Sequence, residues 1–291
     1  RPAPMIFPEI RIGTSGWDYW HWTRVFYPED LPRSGWLAYY QSKFDTLELN
    51  ASFYHLPRPS TFARWLEASR HGFLWAVKAH RAITHLTRLK KREPLERFLT
   101  SLDSLGDGLG VILFQLPPSL KFDSAAVGRF LSWLPEGKRY AIEPRHKSWF
   151  EPQPLELLET HGVALCIAES GGRFPSGEHL TADFVYLRFH GGEQLYASRF
   201  TSEQLGAWAG KLAAWRRPAF VYFNNDFHGH AVENALELKQ MLSVPAMAAA
   251  GSASRARGRS SPSRSPSRCA TRASRPPAAS ARAARCSSSA T

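Results

Sequence analysis

Between Glu143 and Trp149 the chain gathers a carboxylate, a guanidinium, an imidazole and an indole, within the stretch AIEPRHKSWF at 141–150. A packed core has no use for that set. Polar groups recur two residues apart elsewhere: Glu48 with Asn50, Lys78 with His80, Glu143 with Arg145, Arg188 with His190. Side chains two apart on a strand share a face. Four such pairs, with Gln115 and Glu169, predict a ring of polar groups at one end of a set of strands. A single ionic pair there reads as a structural salt bridge. Several together read as a pocket, because each buried ion left unpaired costs several kcal/mol.

The residue types suggest the chemistry. Glu48, Lys78, Glu143 and Glu169 are the catalytic candidates. The carboxylates suit general acid/base work, and Lys78 is an anchor for negative charge, a partner for Glu48, or, with a depressed pKa, a Schiff-base amine. Arg145 and Arg188 suit an anion. Gln115, His146, His190, Asn224 and Asn225 supply further hydrogen-bonding groups for a ligand. Trp17, Tyr54 and Trp149 lie where they stack on a bound ring or form a hydrophobic lid. Glu48, Glu143, His146, Glu169, His190 and Asp226 together are of a type that suits a divalent metal. No HExxH-type spacing singles out ligands, so no metal residue is assigned and the cofactor stays open.

These groups need strands to hold them. Apolar runs at 10–13, 46–53, 74–80, 110–116, 140–145, 163–169, 184–190 and 219–224 read as eight strands. Helices are predicted between most of them, near 35–43, from Ser60 as a cap to Gly72 as a stop, and near 95–105. The spacing of Val127, Phe130, Leu131 and Leu134 predicts another, and further helices are expected at 155–160, behind a Thr201/Gln204 capping box, and at 229–242. Near-continuous apolar strands alternating with helices imply a parallel sheet covered by helices. Eight units in roughly 240 residues fit a single (β/α)8 TIM-type barrel, where working residues sit at the C-terminal ends of strands. A doubly wound open sheet is the alternative, but TSGW after the first strand is no dinucleotide fingerprint.

The 291 residues are 43% hydrophobic, which is ample for a large core. The net charge of +12 is uneven. Residues 251–291 carry nine Arg and no acid, so +12 less those nine leaves +3 for residues 1–250. The body therefore gives little reason to invoke nucleic acid, which is expected only through the tail. That tail lacks aromatic and large aliphatic residues and is expected to be disordered. It reads either as a basic arm or as a translation in the wrong frame. The expected divisions are 1–9 as an extension, 10–245 as the domain, and 246–291 as the tail. No long apolar run suggests a membrane span or leader, and the three cysteines have no framework spacing, so a cytoplasmic location is expected.

The blocks IRIGTSGWDYWHW, TLELNASFYHLP, WAVKAHRAITH, GVILFQLPPSLKF, AIEPRHKSWF, ADFVYLRFHG and VYFNND occur in that order. Together they resemble the YecE-like family, domain of unknown function 72. The resemblance implies a TIM-barrel-like fold and no established activity. The family's usual polar positions match at Glu48, Lys78, Gln115, Glu143, Arg145, His146, Trp149, Arg188, His190, Asn224 and Asn225. Two positions depart from it: Pro144 replaces a usual aromatic and Glu169 a usual Asp. The first is expected to bend a strand end. The second lengthens a carboxylate by one methylene.

Three functions follow as expectations. The first is an enzyme using general acid/base chemistry on a small polar, sugar- or phosphate-like molecule. The second is a module that binds or senses a small ligand without turnover. The third is a metal-dependent barrel that processes nucleic acid.

Overall fold

The structure, a computed structural model, describes residues 9–192 and 196–243. All belong to one compact unit. The expectations for the extension before residue 9 and for the tail fall outside the described residues.

The strands are β1 (Ile10–Thr14), β2 (Thr46–Leu49), β3 (Leu74–Lys78), β4 (Leu109–Gln115), β5 (Tyr140–Glu143), β6 (Ala164–Leu165), β7 (Ile167–Glu169), β8 (Val185–Phe189) and β9 (Ala219–Phe223). Every pairing is parallel. Ladder hydrogen bonds form two arcs, β2-β3-β4-β5-β6 and β1-β9-β8-β7. β6 and β7 are two halves of one predicted strand, interrupted at Cys166, whose N–H still reaches the Ile142 carbonyl at 2.8 Å. At the other seam Ser15 and Glu48 form a parallel bridge between the ends of β1 and β2. Gly13 makes that approach feasible: a Cβ there would collide with the Thr46 carbonyl oxygen. The result is an α/β, TIM-barrel-like ring of eight strand positions.

Around the ring lie α1 (Trp36–Lys43), α2 (Pro59–Glu67), α3 (Glu93–Leu102), α4 (Ser124–Ser132), α5 (Pro152–Thr160), α6 (Ser202–Trp215) and α7 (His230–Ser243). The Thr201/Gln204 capping box opens α6 as expected. Ser60 does not cap α2: the helix begins at Pro59, whose fixed φ suits a first turn. Gly72, expected as its stop, lies in the turn beyond, with φ +79°.

Alternation along the strands sorts the core into two layers. Leu47, Val77, Ile112, Ile142, Leu187 and Val221 face the helices. Ala76, Val111, Leu113, Ala141, Cys166, Tyr186 and Tyr222 fill the barrel. The inward column then turns polar toward the strand C-termini. Several strands are shorter than predicted there, and this corrects the paired pattern. Asn50 takes helical angles and opens the short helix Ala51–Phe53. His80 lies beyond β3, just before the π-helix Ala82–Leu86. β5 stops at Glu143 because Pro144 has no N–H for the ladder. Only one member of each expected pair lies on its strand: Glu48, Lys78, Glu143 and Arg188.

Candidate active site at the barrel mouth

Arg188 is the centre of the mouth. Its side chain is fully buried, a position an arginine takes only with partners. Nη2 and Nε donate to Glu48 Oε1 at 2.7 and 3.2 Å, and Nη1 donates to Glu143 Oε2 at 2.5 Å. One guanidinium thus bridges carboxylates from β2 and β5. Glu48 also accepts from Ser15 Oγ and from the Tyr186 hydroxyl, both at 2.6 Å. Glu143 Oε1 accepts from Arg145 Nη2 at 3.3 Å, so Arg145 reaches back into the ring although it has left the strand.

His190 completes the set from just beyond β8. Its Nε2 is 2.9 Å from Glu143 Oε1, and Asn224 Nδ2 lies 3.2 Å from Nδ1. An amide nitrogen only donates, so Nδ1 accepts and the ring proton resides on Nε2. Burial lowers the imidazole pKa, and the pull of Glu143 does not offset this. His190 is therefore a neutral donor of fixed tautomer. Burial works against the Glu143 charge, but Arg188, His190 and Arg145 together hold its carboxyl well below the usual range.

Lys78 stands apart from this lattice. Its Nζ lies 4.4 Å from the centre of the Phe53 ring and forms no ion pair or hydrogen bond among the described residues. Burial, reinforced by the Arg188 charge, brings its pKa down to about 8. Arg145 is stacked on Phe174, 3.9 Å from guanidinium carbon to ring centre, and its buried Nε has no partner among the described residues. His85, on the π-helix, faces the same cations. Burial, with Lys78 and Arg145 next in weight, brings its pKa down to about 4. Arg188, Arg145 and Lys78 against Glu48 and Glu143 leave the mouth with one positive charge in excess.

The other predicted residues have different surroundings. Gln115 is buried and donates to the Leu116 carbonyl at 2.7 Å. Glu169 alternates to the helix side of β7 and accepts from the Gly171 N–H in its own turn, at 3.0 Å. Trp149 is fully buried, with its indole N–H on the Leu120 carbonyl, so it is not a stacking platform. His146 caps the short helix Lys147–Trp149 through Ser148. Trp17 packs edge-on against Trp65 and Trp75. Asn225 joins Ser198 to Asn234 of α7. Tyr54 remains 63% exposed at the rim. Glu48, Glu143, His146, Glu169, His190 and Asp226, considered as a metal set, do not converge: Glu48 and Glu143 meet on Arg188 instead. No group of three or more such ligands gathers elsewhere among the described residues.

Three residues of the site, Tyr186, His85 and Phe174, were not expected from sequence reasoning. Tyr186 was within reach of it, being two residues before Arg188 and so on the same face. Phe174 comes from a glycine-rich loop with no period to mark it.

A ring of eight parallel strand positions with its ionisable groups at the C-terminal mouth defines a TIM-barrel-like α/β protein. The chain belongs to the family described as protein of unknown function DUF72, whose model matches residues 11–257. It is similar to UPF0759 protein YunF of Bacillus subtilis, with 27% identity over 81% of this chain and 95% of that one. UPF0759 protein YecE of Escherichia coli is 26% identical over 73% of this chain and 84% of its own. The crystal structure of a DUF72 family protein from Thermotoga maritima superposes with a TM-score of 0.75 at 29% identity, covering 81% of this chain and all of that one. Among the described residues no helix is long and apolar enough to cross a membrane.

Proposed function

We propose that the mouth binds a small anionic molecule of sugar- or phosphate-like polarity and acts on it by general acid/base chemistry, with Lys78 as the group that exchanges the proton. The observation that carries this reading is the unpaired ammonium of Lys78, close enough to Glu48 and Glu143 to feel both yet bonded to neither. An amine with a pKa near 8 gives and takes protons at neutral pH. Arg145, with its free Nε, holds the negative charge of the ligand.

The two glutamates take a different part from the one their residue type suggests. Glu48 and Glu143 accept seven hydrogen bonds between them, and Glu143 stays ionised. They fix the cations rather than donate protons. Glu169 lies outside this scheme. A buried ionic lattice is also a poor route to stability, since apolar residues of like volume do as well or better. Its presence supports a functional mouth.

A second reading is a binding module without turnover. The full use of both carboxylates favours it, because the usual acid/base groups are then committed to structure. One experiment tests the first reading and separates it from the second. Carboxylate, sugar and phosphate-ester libraries are screened by thermal shift, and hits are incubated and analysed by mass spectrometry. A stabilising anion that is converted by the wild type but not by Lys78→Met supports the enzyme. An anion recovered unchanged supports the module. A hit whose binding is unaltered in both Lys78→Met and Arg145→Gln overturns the mouth as the site.

A further inference from the structure

The segments that follow β3, β4 and β5 line a half-open cavity of about 300 Å³. Arg88, Lys90 and Lys121 line it, over a floor that includes Leu120, Val127 and Trp149. None of the three cations forms an ion pair among the described residues. Arg88 is held in place: Nη1 donates to Ser119 Oγ at 3.1 Å and Nη2 to the Ser119 carbonyl at 2.7 Å. Asp123 is the one acid in the lining, and its Oδ1 accepts from the Ala126 N–H at 3.0 Å as the cap of α4. Three positive charges therefore surround a concave space that one partly committed carboxylate does not neutralise.

Two segments lead from the mouth to this cavity. The π-helix carries His85 beside Lys78 and runs on into Arg88. The loop after β5 places Arg145 in the mouth and Trp149 in the cavity wall. We propose that the cavity is a phosphate subsite, holding the phosphorylated end of a molecule whose reacting part lies in the mouth. A preorganised guanidinium with two exposed ammonium groups suits the charge and oxygen count of a phosphate monoester. The volume admits the phosphate and a few attached atoms. The spanning molecule rests on the reading of the mouth given above; the binding of phosphate in the cavity does not.

The Trp149 indole N–H, donated to Leu120 in the wall, is the reporter. Protein labelled with nitrogen-15 is titrated with inorganic phosphate at constant ionic strength, against chloride as control. The Trp149 resonance is expected to move saturably with phosphate and not with chloride. The exposed pair Lys90→Glu and Lys121→Glu, which breaks no hydrogen bond or ion pair among the described residues, should weaken that response about tenfold or more. Arg145→Gln should leave it in place. A resonance that stays still, moves equally with chloride, or ignores the two charge reversals overturns the subsite. A response lost in Arg145→Gln but kept in the charge reversals assigns phosphate to the mouth, which also overturns the subsite while the mouth reading stands. Failure of the mouth reading shows separately, in the ligand screen with Lys78→Met.

Discussion

Arg188 and Glu48 meet inside the barrel with 2.7 Å between Nη2 and Oε1, both beyond the reach of solvent. The pair is neutral in sum, so the excess positive charge of the mouth comes from the groups around it. Glu48 comes from the seam where β1 and β2 are joined by a single bridge, so the same carboxylate that orients Arg188 also sits at the least regular point of the ring.

Removing Arg188 should therefore cost more than an ordinary core substitution. Arg188→Met leaves Glu48 and Glu143 facing one another without the cation that separates them. A broken buried pair costs about 3–5 kcal/mol. Urea denaturation should show a loss of that order, and adding Glu48→Gln and Glu143→Gln should restore part of it. An Arg188→Met protein as stable as the wild type would mean the lattice is not tightly held.

Stability should fall toward acid in two stages. His190 has a folded-state pKa lowered from 6.5, so below about pH 6.5 the unfolded chain takes up a proton that the folded one refuses. His80 and His85 are shifted in the same sense and add to this loss. Glu143 is depressed from 4.5, so its contribution is complete above that value and disappears as pH falls through the folded pKa. Urea midpoints measured from pH 7.5 down to 5 should fall less steeply in His190→Gln than in the wild type. Parallel curves would remove His190 as a source of the dependence.

Much of the fold was legible in the sequence, and the site only in part. Apolar runs located every strand, because burial on both faces leaves little freedom of residue type. Arg188, Glu143 and Glu48 stood out as charges inside such runs. Alternation breaks down at strand ends, where backbone angles rather than periodicity decide the direction of a side chain. Asn50 turned helical, and Pro144 ended β5 one residue after Glu143. Arg145 still reached the ring because its side chain is long enough to fold back. Glu169 is the opposite case: the interruption at Cys166 and the alternation of β7 place it on the helix side. Trp149 resembled a platform for ligands only because an indole after a strand looks the same in sequence whether exposed or buried.

The loop holding Phe174 against Arg145 should depend on one glycine. Gly171 has φ +60°, and a Cβ there would run into the Gly192 backbone. Gly171→Ala is expected to cost about 1–3 kcal/mol and to displace the loop, weakening the binding of any anion found at the mouth. Glu169→Gln, which alters only a hydrogen bond within its own turn, should leave that binding unchanged. Calorimetric titration of both variants would check this, and a large loss in Glu169→Gln would return that carboxylate to the site.

The sharpest expectation concerns the Lys78 amine. With a pKa near 8 about half of it is neutral at that pH, whereas an ordinary lysine remains almost wholly protonated. Brief labelling with acetic anhydride across a pH series, read by peptide mass spectrometry, should give Lys78 a midpoint near 8 and mark it before other lysines. Its neighbours fix the direction in which variants move it. Arg145 disfavours the ammonium, so Arg145→Gln should raise the midpoint; Glu143 favours it, so Glu143→Gln should lower the midpoint. A wild-type midpoint near that of a free lysine, unmoved by either change, would show that Lys78 does not share the electrostatics of the ring. The proton-exchange role proposed for it would then fall, even if the mouth still bound an anion.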